Sequence, residues 1–122
     1  MIMKSRVFVV DDDASVRKAL SRLLRSAGLE VRTFGSVDEF LDNVKDEESG
    51  VVISDVEMPG RSGLDLQWHL KEHGPRLPVI LMTAHNSIQV RETAIRRGAI
   101  RFLQKPIHDE ALFDAIDTAL SG

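Results

Sequence analysis

Short apolar runs of strand length recur along the chain: VFVV at 7–10, VVIS at 51–54, PVILM at 78–82 and the less pure IRFL at 100–103, with LEVRTF at 29–34 as a fifth. Helix-length segments separate them. Residues 14–27 put Val16, Leu20, Leu23, Leu24 and Ala27 on one stripe, leave Arg17, Lys18, Arg22 and Arg25 facing elsewhere, and stop at Gly28. Ser36 and Glu39 have the spacing of a capping box, with Phe40, Leu41 and Val44 continuing the stripe behind them. Segment 64–73 ends at Gly74 and Pro75, segment 87–97 ends at Gly98, and segment 109–120 carries Leu112, Phe113, Ile116 and Leu120. Strand and helix thus alternate five times.

Parallel strands need long, right-handed crossovers, and this alternation supplies them, so it predicts a parallel sheet with helices on both faces. The runs at 7, 51 and 78 are almost wholly apolar, as strands covered on both faces must be, whereas Glu30, Arg32 and Arg101 mark the second and fifth strands as edges. The expected architecture is α/β, a flavodoxin-like doubly wound five-stranded parallel sheet of order 2-1-3-4-5 with five helices. In that order ligands sit beyond the carboxyl ends of strands one and three, where the winding reverses.

Those ends are where the polar chemistry gathers. Strand one runs into Asp11, Asp12 and Asp13, strand three into Asp55, strand four into Thr83, and strand five into Lys105 and Pro106. Carboxylates about 4 Å apart repel by roughly 4 kcal/mol at an effective dielectric of about 20, so the cluster calls for a cation. An all-oxygen set without cysteine or histidine suits Mg²⁺ (or Mn²⁺). Asp13, one step past the strand, has the place and chemistry of a helix N-cap or first-turn residue, and from the acidic run alone that plainer reading of the aspartates is equally open. In SDVEMPGRSG, residues 54–63, the Met58-Pro59-Gly60 turn holds Asp55 on a short tether and keeps the Glu57 carbonyl near the same pocket.

Bulk properties bound the rest. The 122 residues are the size of one domain, and 43% hydrophobic with 29% charged is ordinary for a folded protein. A net charge of −3, from 16 basic and 19 acidic residues, lacks the basic bias of a nucleic-acid binder. The chain has no cysteine and no apolar run near the 18 or so residues of a membrane span, which fits a cytoplasmic protein without membrane contact.

VVDDD, SDVEMPGRSG, LMTAH and FLQKP, in that order and at strand ends, resemble the receiver domain of bacterial two-component response regulators; TFGSVDEFL and GAIRFLQKP are most similar to its FixJ-like branch. The resemblance covers essentially residues 1–122, a single receiver domain with no output domain in this stretch. It implies a regulatory phosphoacceptor rather than an enzyme, taking a phosphoryl group from a sensor histidine kinase or phosphotransfer protein onto Asp55. Thr83 and Lys105 would support the transfer. Asp12 and Asp55, the Glu57 backbone carbonyl and, through water, Asp11 would hold the metal. Thr83 and Phe102 would form the switch, and Glu57 and His85 would tune phosphoryl lifetime. The Lys105-Pro106 peptide is often cis in this family. Helix one, around Ala14, Ser15 and Lys18, would meet the kinase. Helix 4, strand 5 and helix 5, with Arg91, Arg96, Arg97 and Arg101 beside Asp114 and Asp117, suit either a homodimer or a solvated face. The domain would act through a partner or as part of a longer transcription regulator.

Three other readings fit the sequence less well. HLKEH, His69 to His73, fits the H-x-x-E-H pattern of a zinc hydrolase, but its helix stops at Gly74 and a histidine near a helix C-terminus has a simpler explanation. No GxxxxGK or GxGxxG follows strand one, which disfavours a nucleotide enzyme. A phosphorylation-independent docking module would have no need of Asp55, Thr83 and Lys105 together.

Overall fold

A computed structural model describes residues 5–45, 48–85 and 87–121. Its strands are β1 (Arg6–Val10), β2 (Glu30–Phe34), β3 (Val51–Asp55), β4 (Val79–Thr83) and β5 (Arg101–Gln104). The helices are α1 (Ala14–Ser26), α2 (Val37–Asn43), α3 (Gly63–Glu72), α4 (Ile88–Arg96) and α5 (Asp109–Ser121). All pairings are parallel and the order is β2-β1-β3-β4-β5, the predicted arrangement with the predicted edges.

The three central strands read as continuous apolar runs, yet their side chains divide between two cores with the strand period of two. Val7, Val9, Val51, Ile53, Ile80 and Met82 pack with Leu20 and Leu24 of α1 and Leu112, Ala115 and Ile116 of α5. Phe8, Val10, Val52, Val79 and Leu81 face the other way, toward Phe40 of α2, Leu66 and Leu70 of α3 and Ala94 of α4. Phe8, Phe34 and Phe40 form an aromatic knot in the second core, Phe40 standing edge-on to both partners at 5.8 and 5.4 Å between ring centroids. Deleting such a buried ring costs about 3–5 kcal/mol.

The helix ends follow local chemistry. Asp13 caps α1, its carboxylate accepting from the Ser15 N–H at 2.8 Å. Gly28, at φ 86°, closes the same helix as a Schellman motif, with Gly28 N–H on the Arg25 carbonyl and Leu29 N–H on Leu24. Gly98 closes α4 in the same way. Three details differ from the sequence reading. Ala27 is exposed, because the chain has already left the helix there. Glu39 does not complete a capping box: Ser36 accepts from the Glu39 N–H, but the Glu39 carboxylate accepts from Gly35 rather than Ser36. The reciprocal box belongs to Ser62 and Asp65 at the start of α3.

Candidate functional site

Register alone assembles the site. Val10 lies beside Ser54 across β1 and β3, so the residues that follow, Asp11 and Asp55, emerge next to each other. Thr83 lies beside Gln104, so Lys105 emerges next to Thr83, and its N–H donates to the Thr83 carbonyl at 2.7 Å. Asp11, Asp12 and Asp55 each offer a carboxylate oxygen within 4.8 Å of the others, the one such group of three metal-ligating side chains among the described residues.

The three aspartates differ in environment. Asp11 is fully buried and both its oxygens are engaged: Oδ1 accepts from the Asp13 N–H and Oδ2 from Lys105 Nζ, each at 2.9 Å. Asp12 is exposed. Asp55 is buried, and its Oδ1 has no hydrogen-bond partner although Lys105 Nζ stands 3.4 Å away. Burial, reinforced by repulsion from Asp11 and opposed by Lys105, pushes the Asp55 carboxyl up to about 6. Lys105 moves up as well: desolvation lowers it, and the hydrogen bond and charge of Asp11 together with Asp55 more than reverse that. An unpaired buried carboxylate oxygen beside an exposed Asp12, in an all-oxygen donor set, fits a hard divalent cation.

Thr83, nearly wholly buried, closes the other side of the rim. Its Oγ1 lies 2.6 and 2.9 Å from the two carboxylate oxygens of Glu57, 3.0 Å from the His85 carbonyl, and accepts from the His85 N–H. Glu57 therefore meets the Thr83 hydroxyl directly, while His85 meets it through its main chain. Phe102 is partly buried on β5 against the core that α2, α3 and α4 share. The Lys105-Pro106 peptide is cis.

Two supports act in ways the sequence does not show, although Gly63 is legible there as the residue before the third helix. Arg17, read as facing away from the core, donates from Nη1 to the Asp11 carbonyl at 2.7 Å. Gly63 brings the start of α3 against β3 so closely that a Cβ there would lie 2.5 Å from the Asp55 carbonyl oxygen. Its lack of a side chain is what lets α3 brace the strand that carries Asp55. Neither leaves a pattern in one sequence, because each acts through backbone carbonyls.

A profile of the response regulator receiver domain matches residues 7–117. The chain is a receiver domain. It is 47% identical to the transcriptional regulatory protein TdiR of Thauera aromatica over 96% of its own length and 52% of that protein's. It is 38% identical to the transcriptional regulatory protein FixJ of Bradyrhizobium diazoefficiens, over 98% of this receiver and 58% of FixJ. The chain thus spans about half the length of these relatives. The crystal structure of FixJ-N superposes with a TM-score of 0.89 at 32% identity, covering 98% of this chain and 96% of that one. Receiver domains of two-component response regulators are regulatory, are phosphorylated by histidine kinases and bind Mg²⁺ at an acidic aspartate cluster, the chemistry of the rim found here. No helix among the described residues is long and apolar enough to cross a membrane.

Proposed function

We propose that Asp55 is the phosphoacceptor. A carboxylate oxygen attacks the phosphorus of a kinase phosphohistidine, the P–O bond forms as the P–N bond breaks, and the imidazole nitrogen leaves with the electron pair. Transfer of this kind depends on position and charge neutralisation more than on reactive side chains. Asp55 is held rigidly at the end of a buried strand. Lys105 turns an ammonium toward its unbonded oxygen and remains available to the incoming phosphoryl oxygens. Asp12 and Asp55 would hold Mg²⁺ with the Glu57 carbonyl, and Asp11 would do so through water; the ion, when bound, neutralises phosphoryl charge. The phosphoryl group carries about −1.5 to −2 charges where the free carboxylate carried −1, and brings new acceptors, which draw in the Thr83 hydroxyl and allow Phe102 to follow.

One observation carries this reading: a buried Asp55 carboxylate with an unbonded oxygen, clustered with Asp11 and Asp12 and sharing the Lys105 ammonium with Asp11. Such an arrangement stores demand for positive charge and for phosphoryl-binding groups. The same reading has the domain acting in the cytoplasm on a partner or output domain. A homodimer through α4, β5 and α5 would use the exposed Arg91, Arg96, Arg97 and Arg101 together with Asp114 and Asp117.

The test is intact mass after incubation with Mg²⁺ and a small acyl phosphate. The expected outcome is one phosphoryl adduct, lost in Asp55→Asn and lost with chelator. An unchanged mass with a donor of proven activity would contradict it and favour a docking module that works without phosphorylation.

A further inference from the structure

Glu57 is spaced two residues after Asp55 and, being exposed, has water available to it. Its carboxylate instead turns inward onto Thr83. The hydroxyl carries one proton, and its nearest acceptor is Glu57 Oε1 at 2.6 Å, with Oε2 at 2.9 Å. The Ala84 N–H also donates to Oε1, at 3.3 Å. One anionic group thus holds two neighbouring donors at the end of β4, on the side of the rim that faces Asp55. A phosphoryl group on Asp55 would be a second anion with the same needs in the same place. The two cannot both be satisfied, since the hydroxyl has a single proton to donate and like charges repel.

From this competition we infer that Glu57 is a built-in occupant of the phosphoryl seat, an internal anion that keeps Thr83 in its resting arrangement and must swing out before the new phosphate can engage it. The inference rests on Asp55 being the phosphoacceptor. It makes Glu57 a positioning residue acting through Thr83, and it gives a direction to the tuning role: the clamp opposes phosphorylation. His85 reinforces the resting arrangement from the other side, its N–H donating to Thr83 Oγ1 and its carbonyl offering the alternative acceptor, each at 3.0 Å.

A simple electrostatic explanation competes with the clamp, namely that Glu57 only repels anions near the entrance. The two separate in a double-mutant cycle read as the rate of adduct formation from an acyl phosphate with Mg²⁺. A surrendered hydrogen bond to a charged acceptor corresponds to about a tenfold change, so Glu57→Ala is expected to accept phosphoryl about tenfold faster than the parent. Glu57→Gln, which keeps an acceptor but no charge, should fall between. In a Thr83→Val background the gain from Glu57→Ala should shrink to less than about twofold, because the clamped hydroxyl is gone. Equal rates for parent and Glu57→Ala, a slower Glu57→Ala, or a full gain persisting with Thr83→Val would each overturn the clamp while leaving Asp55 as phosphoacceptor. No adduct in the parent or any variant would overturn the phosphoacceptor reading, and the clamp with it.

Discussion

Two groups of charged side chains lie at opposite ends of the same strands, and they are built differently. At the amino-terminal side Glu48 accepts from Arg6 at 3.0 Å, from Arg32 at 2.8 Å and from the Lys45 N–H at 2.8 Å, while Arg6 also reaches Glu30 at 3.3 Å. Two arginines face two glutamates. At the carboxyl-terminal rim Asp11 and Asp55 share Lys105, Asp12 and Glu57 have no ion-pair partner among the described residues, and an oxygen of Asp55 goes unbonded. The carboxyl groups respond in opposite directions. The Lys45 N–H, with Arg32 and Arg6, holds Glu48 below the ordinary carboxylate range against the effect of burial, whereas burial and the charge of Asp11 lift Asp55 to about 6. The amino-terminal end balances its charges within the chain, although Arg6 Nε there is also buried without a partner; the rim carries an excess of carboxylates, which on the proposed function a cation from outside the chain would offset.

The largest effect expected from that contrast is stabilisation by metal. Free Mg²⁺ at a hundredfold over its dissociation constant should stabilise the fold by about 2.7 kcal/mol in chemical denaturation, and Asp12→Asn or Asp55→Asn should remove most of it. Glu48→Gln should leave that response intact. A response equal in all variants would break the comparison.

Next, without metal, Asp55→Asn should raise stability at pH 7 by about 2 kcal/mol, since it removes an ionised carboxylate that the fold desolvates. The sign follows from proton uptake. With a carboxyl at about 6 in the fold and 3.8 as its ordinary value, the folded protein binds more protons between those limits, so the parent loses stability as pH rises through that window. The gain from Asp55→Asn should therefore vanish below about pH 4, as a series of denaturation curves would register. Glu48 has the opposite sign. Its lowered carboxyl contributes stability above its ordinary 4.5 that is lost on acidification, and Glu48→Gln should cost about 1 kcal/mol at pH 7, the arginines being open enough to solvent to limit it. The smallest effect is expected at Arg61 and Asp38, an exposed pair 3.3 Å apart: Arg61→Ala should change stability by less than about 0.5 kcal/mol.

Much of this was legible in the sequence because it is carried by period and position. The apolar runs at 7, 51 and 78 gave strand identity and central placement, the mixed runs at 29 and 100 gave the edges, and strand-end location then collected Asp11, Asp12, Asp55, Thr83 and Lys105 into one rim. What could not be read depends on where side chains turn. Glu39 and Ser36 have capping-box spacing, but Gly35 competes for the same carboxylate. In the sequence Glu57 has a tuning role without a direction because a loop carboxylate two residues past a strand end has no fixed orientation; its contact with Thr83 appears only in the structure. Arg17 and Gly63 support the site through carbonyl oxygens, which no residue pattern encodes.

The most direct test of the contrast is a side-chain carboxyl titration by carbon-detected NMR, following Asp55 and Glu48 in one sample with and without Mg²⁺. Without metal, Asp55 should titrate near 6 and Glu48 below 4.5; with metal, Asp55 should fall and Glu48 stay in place. An Asp55 that titrates as an ordinary aspartate without metal, or one that ignores Mg²⁺, would mean that the rim is not waiting for a cation.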